Sequence, residues 1–187
     1  MSKSMRRRPM KISLFVALLP APILVGVLCV QTGCNSGRQA DAHQGSSTDE
    51  LIGTKKWSEL SVATLEGNQI KLSNLVGKPM ILDFWATWCP PCRKQREVLH
   101  ELSGKYRDQL VIAALSVDQD SEAWKHYVSK HDKMTHELRA TPELIERFGV
   151  EALPTLVIID SAGRVQSVSA GLTDVEELGR ILRPMMQ

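Results

Sequence analysis

Residues 80–92 read MILDFWATWCPPC. Met80 to Ala86 is a run of aromatic and aliphatic residues carrying one charge, Asp83, and its length suits a strand buried on both faces. Cys89 and Cys92 follow at once, with Pro90 and Pro91 between them. From Pro91 to about Tyr106, the residues Val98, Leu99, Leu102 and Tyr106 recur at helical spacing. Residues 110–117, LVIAALSV, read as a second buried strand. This order predicts a β-α-β unit with parallel strands and a right-handed crossover, and it sets the two cysteines where the first strand turns into the helix.

The flanks extend the same alternation. Residues 62–72, VATLEGNQIKL, hold two short alternating runs around Gly67-Asn68, the pattern of a hairpin. SEAWKHYVSKH, from Ser121, predicts a helix with Ser121 as its cap, and Thr141-Pro142 opens another that runs through Phe148 to Gly149. TLVIID and RVQSVSA flank Ser-Ala-Gly as a second hairpin, with Gly163 available for the left-handed position. The tetrapeptide T-D-V-E, from Thr173 to Glu176, matches a capping box and starts the last helix. Strands and helices interleaved in this way predict an α/β fold, a central mixed sheet with helices on both faces, over residues 57–187. A chain of 187 residues that is 43% apolar and 24% charged has room for one soluble domain of this kind and a leader.

The amino end reads as an address. Lys3, Arg6, Arg7, Arg8 and Lys11 precede an apolar run from Ile12 to Val30, and small and polar residues follow it, which is the order of a signal peptide. QTGC, ending at Cys34, resembles a lipobox, whose cysteine is lipidated and becomes the new amino terminus; Gln31 stands where that pattern prefers Leu. An uncleaved membrane anchor over residues 1–33 is the competing expectation, since a run of 19 residues could just cross a bilayer. Free secretion is the third alternative; the protein is expected outside the cytoplasmic membrane, and under the first two readings tethered to it. Residues 34–56, rich in Ser, Gly, Gln and Asp, read as a flexible tether. Removing residues 1–33 takes away five positive charges and turns the formal +2 into −3, which leaves no electrostatic case for nucleic-acid binding.

The chemistry sits in Trp88-Cys-Pro-Pro-Cys92. Two cysteines with two residues between them can close a small disulfide ring. At a helix start, backbone N–H groups stabilise a thiolate and lower its pKa from about 8.5 into a range of roughly 3.5 to 7.5. Cys89 is then the exposed nucleophile, and Cys92, one turn inward, resolves the mixed disulfide. The two prolines suit a first turn, where missing N–H groups cost little. The same spacing is also half of a zinc site, but Cys29 and Cys34 lie in the leader, and His126 and His131 lack a matching ligand nearby. A purely structural disulfide is the other alternative, although so short a ring constrains little of the unfolded chain.

DFWATWCPPC is similar to the thioredoxin superfamily, above all its exported, membrane-tethered TlpA-like and ResA-like branch. Gly77-Lys78-Pro79 before the first long strand resembles that branch, as does the segment from Val150 to Arg164, with V-x-x-x-P-T and I-D-x-x-G-R in order. The resemblance covers residues 57–187. It implies a thioredoxin fold with an N-terminal hairpin and an inserted helix and strand over Ser121 to Arg139. It also implies a cis Pro154 facing the cysteines, with the backbone of Leu153 offered to an extended client. Asp83 matches the buried acid that handles the proton of the inner cysteine; desolvation should raise its pKa and make it a base for Cys92. The bland alternative is an Asp at an exposed strand end. Trp88, Pro90 and Pro91 are expected to meet the client, while Trp85 belongs to the core. Many TlpA-like proteins lack an acid at the position of Asp83, and there this chain is more like thioredoxin itself.

The activity so implied is thiol-disulfide exchange outside the membrane. Reduction of client disulfides is expected, and apocytochrome c cysteines before haem attachment are the client class the family suggests. No G-x-G-x-x-G fingerprint for a flavin or nicotinamide occurs, so no cofactor beyond the Cys89–Cys92 couple is expected, and electrons would come from a membrane thiol protein. Two alternatives stay open. One is an oxidant that installs disulfides; the other is a non-enzymatic module that carries Cu(I) or holds a client on the two thiols.

Overall fold

The structure, a computed structural model, describes residues 51–186. Seven strands form one mixed sheet in the order β2-β1-β5-β4-β3-β6-β7. β1 (Ser61–Thr64) and β2 (Gln69–Lys71) are the first hairpin, closed at Gly67, which takes the left-handed φ of 88° that glycine tolerates. β3 (Met80–Trp85) runs parallel to β4 (Val111–Ser116), and α1 (Pro90–Tyr106) crosses between them as the β-α-β pattern requires. α2 (Ser121–Lys130) leads into β5 (His136–Arg139), which lies parallel to β4 and antiparallel to β1. The first hairpin therefore joins the sheet through β5, inside the segment 121–139 that exceeds a minimal crossover. α3 (Pro142–Arg147) precedes β6 (Thr155–Ile159); β7 (Val165–Ala170) and α4 (Val175–Leu182) complete the chain.

Strand alternation divides the core into two layers. Ile81, Trp85, Ile112, Ala114, Leu156 and Ile158 face α1, α2 and α4, against Leu99, Leu102, Trp124, Val128, Leu178 and Leu182. Met80, Leu82, Phe84, Ala113, Leu115, Val157 and Ile159 face the other way, against Leu144, Phe148, Trp57 and Leu72. All six residues of β3 are buried, as expected for a strand covered on both sides. This is the thioredoxin fold.

Three local expectations are corrected. The folded part starts earlier than Trp57: Leu51 is buried, Ile52 bridges to Val165 and Gly53 N–H donates to the Val165 carbonyl at 2.8 Å. Trp57 explains this, because its buried ring donates Nε1–H to the Gly163 carbonyl (3.2 Å) and draws the preceding residues along β7. Residues 51–56 are thus no part of a free tether, while 34–50 and the leader 1–33 lie outside the described residues. Ser121 does not cap α2; Asp120 does, its Oδ1 accepting from the N–H groups of Glu122 (2.9 Å) and Ala123 (3.2 Å). Likewise Asp174, not Thr173, caps α4, accepting from Glu177 N–H at 2.8 Å, because Thr173 is buried and its own N–H is held by Gln95.

Candidate active site

Cys89 is the residue just before the first turn of α1 and has extended backbone, φ −95° and ψ 103°. Pro90 and Pro91 occupy the first two helical positions and have no N–H, so Cys92 supplies the first that the helix end can offer. That N–H donates to Cys89 Sγ at 3.2 Å. The two cysteines are joined as a disulfide with their Cα atoms 5.3 Å apart. Cys89 is not exposed as expected but keeps only 4% of its surface, at the edge of a groove; Cys92 is fully buried, so a reagent from outside still reaches Cys89 first.

The turn that delivers Cys89 is fastened from below. Asp118, buried just after β4, accepts from Thr87 N–H (3.0 Å to Oδ2), Thr87 Oγ1 (2.7 Å) and Ser116 Oγ (2.8 Å). Arg93 Nη1 donates to the Thr87 carbonyl at 3.1 Å. With Thr87 held inward, the next residue, Trp88, stands outward and is 66% exposed. Trp88, Cys89, Pro90, Pro91 and Leu153 line one groove of about 490 Å³, with Val117, Ile145 and Val150 on its walls. The Leu153–Pro154 peptide is cis, and Pro154 itself is buried at the head of β6. Gly171 N–H donates to the Pro154 carbonyl at 2.7 Å, which ties the end of β7 to the residue that follows Leu153.

Asp83 lies deeper. It is completely buried in β3, in the middle of the sheet rather than at an exposed strand end, and among the described residues neither carboxylate oxygen has a hydrogen-bond partner. Burial pushes its carboxyl up to about 7, against the pull of Arg96 and with a smaller push from Glu137. Arg96 and Glu137 form a buried ion pair, Nη2 to Oε1 at 2.6 Å, and the guanidinium lies over the Trp85 ring, 4.2 Å from its centroid. Glu137 Oε1 also accepts from Met134 N–H at 2.9 Å.

The structure thus gathers Cys89, Trp88, Pro90, Pro91 and Leu153 at one groove, and sets Cys92 and Asp83 in the layer beneath. Cys34 lies outside the described residues. Sequence reasoning passed over Gln95, Arg96, Asp118 and Glu137, all buried polar residues of this region. A signal existed for two of them: Gln95 and Arg96 stand three and four positions after Cys92, hence on its face of the helix. Among the described residues no group of three or more His, Cys, Asp and Glu side chains is placed to hold a metal ion.

Residues 77–165 match the family described as Thioredoxin-like. The chain is 34% identical over 171 residues to the thiol-disulfide oxidoreductase ResA of Bacillus thuringiensis subsp. konkukian, covering 89% of this chain and 95% of that protein. It is 37% identical over 166 residues to ResA of Bacillus cereus, covering 86% and 92%. Among solved structures, MTB DsbF in its mixed oxidised and reduced forms superposes with a TM-score of 0.62 at 27% identity, over 69% of this chain and 96% of that one.

Proposed function

The chain belongs to the thioredoxin-like family of ResA-type thiol-disulfide oxidoreductases, and from that premise we propose that it reduces client disulfides outside the cytoplasmic membrane. The reading is carried by one observation. Cys89 alone of the pair borders the groove, and its sulfur already accepts the helix N–H that would stabilise it as a thiolate.

In the reduced protein the Cys89 thiolate attacks one sulfur of the client disulfide, forming a mixed disulfide and releasing the other client sulfur as a thiolate. Asp83 takes the proton from Cys92 Sγ. The resulting Cys92 thiolate attacks Cys89 Sγ, which re-forms the Cys89–Cys92 bond and releases the second client sulfur, and the proton passes out to the leaving thiolates. The client gains two electrons and the couple loses two. A dithiol protein in the membrane restores them. Trp88, Pro90 and Pro91 give the client an apolar bed, and the Leu153 backbone before Pro154 lies along the groove to pair with an extended client segment. Apocytochrome c is the client class consistent with this branch. The basic, apolar and small-residue order of residues 1–34 supports export, with lipidation at Cys34 as the tether and an uncleaved anchor as its rival.

The test is insulin reduction with a chemical dithiol as donor. Activity should vanish in C89S, and C92S should accumulate a stable mixed disulfide with client. A reduction potential near −270 mV fits a reductase, whereas one near −120 mV would identify an oxidant instead. Stoichiometric copper binding without turnover would replace both with a carrier.

A further inference from the structure

Sheet register sets Asp83 of β3 opposite Ala114 of β4, and Ala114 opposite Glu137 of β5. In register across parallel strands, the three side chains leave the sheet on one face, and it is the face covered by α1. Ala114 carries a single methyl, so the residue between the two carboxylates in this row adds no polar group. Trp85, two positions beyond Asp83, projects from that same face. Into this corner comes Arg96, one helical turn after Cys92, held at 2.6 Å by Glu137 and resting on the Trp85 ring at 4.2 Å. Its Nη2 reaches the Asp132 carbonyl at 3.4 Å as well. The guanidinium is therefore fixed at three points.

We propose that Arg96 is a positioning residue for the redox step: pinned by Glu137 over Trp85, its guanidinium supplies the fixed positive charge that lets Asp83 exchange a proton with Cys92. The proposal rests on the reading of Asp83 as the base. A buried carboxylate with no hydrogen-bond partner would hold its proton far above neutrality, and would then be useless for accepting one from a thiol. The groups facing it divide clearly. Cys92 and Arg96 come from α1 and Glu137 from β5. Ala114 from β4 and Leu156 from β6 bring no charge. α2 adds Trp124, Val128 and the Tyr127 phenol beyond the Trp85 ring; α4 adds Leu178 and Leu182. One cation and two carboxylates sum to zero when Asp83 is protonated and to one negative charge when it is not. Arg96 favours the ionised form and Glu137 opposes it, and the two pull the carboxyl in opposite directions.

That opposition makes the test directional. Carbon-13 NMR of the Asp83 carboxyl in the oxidised protein follows its titration without any turnover. R96M should raise the midpoint by about one pH unit. E137Q, which keeps the shape and the acceptor for Met134 N–H, should lower it, and R96K should return most of the R96M shift. The pH limb of insulin reduction should move with each midpoint. If R96M does not fold, E137Q decides alone, and a midpoint that stays or rises overturns the proposal. Midpoints that move the same way in R96M and E137Q, or not at all, overturn it too. D83N separates the two readings. A pH limb that vanishes in D83N but ignores R96M and E137Q removes only Arg96 from the mechanism, while a limb that survives in D83N removes Asp83 as well.

Discussion

Gln95 and Thr173 are joined twice across 78 residues of chain: Gln95 Nε2 donates to the Thr173 carbonyl at 3.1 Å, and Gln95 Oε1 accepts from Thr173 N–H at 2.8 Å. Gln95 is completely buried, three positions beyond Cys92, so the bond ties the second turn of α1 to the loop that precedes α4. Q95L should cost about 2–4 kcal/mol, because a buried backbone N–H and C=O both lose their partner while the hydrocarbon fits. Urea unfolding of the oxidised protein measures it. Q95E should be costly as well near neutral pH, since a carboxylate can accept from Thr173 N–H but cannot donate to its carbonyl.

Asp118 performs a similar task for the turn before Cys89, with one difference. Every group that meets its carboxylate is a donor: Thr87 N–H, the Thr87 hydroxyl and the Ser116 hydroxyl. D118A should cost about 2–4 kcal/mol, and D118N less, because an Asn oxygen still accepts from Thr87 N–H while its NH2 can donate only by turning a hydroxyl from donor to acceptor. If D118N were as stable as wild type in urea, the carboxylate would not be what secures the turn. Hydrogen exchange at the Thr87 amide should accelerate in both variants.

These clamps mark the boundary of what could be read from residues alone. β3, α1 and β4 were legible because burial on two faces and helical recurrence are local patterns, and the C-x-x-C motif fell at their junction. The hairpin at Gly67 and the helix from Ser121 were legible for the same reason, whereas the strand that follows that helix, β5, is expected only from the family resemblance. Gln95 to Thr173 and Arg96 to Glu137 were not, since a pairing across 78 or 41 residues leaves no mark in either neighbourhood. The start of α4 depends on the same distant pairing. Thr173 has the residue type of a cap and the right spacing to Glu176, but its N–H was already engaged by Gln95, so the role passed to Asp174. In residues 51–56 two apolar residues in polar company carry the composition of a linker, and only the distant anchor of Trp57 on Gly163 brings them onto β7.

Trp88 offers a contrast between stability and capture. At 66% exposure its ring contributes little to the folded core, so W88A should unfold within about 0.5 kcal/mol of wild type. A client lying in the groove would cover that ring, and aromatic anchors of this kind carry much of the affinity at such surfaces. The second-order rate of client reduction should fall by about tenfold, equal to ~1.4 kcal/mol, chiefly through KM. An unchanged rate with a protein client would mean that clients approach Cys89 from another side.

Asp83 makes the stability of the oxidised protein depend on pH in a direction opposite to that of a salt-bridged carboxylate. Its carboxyl ionises near pH 3.8 in the unfolded chain, whereas burial raises it to about 7 in the folded one. Below pH 3.8 both states hold the proton and Asp83 adds no pH dependence. Between those values the folded state keeps a proton that the unfolded state has lost, so stability falls as pH rises; above about 7 both are ionised and the full penalty stands. A difference of that size corresponds to roughly 4 kcal/mol. Urea unfolding at pH 5 and pH 8 should therefore show wild type losing a few kcal/mol that D83N retains, and D83N should be the more stable protein at pH 8 while reducing clients more slowly. Equal pH slopes in the two proteins would mean that Asp83 is already ionised in the fold at pH 5, and a carboxylate so acidic could not take the proton of Cys92.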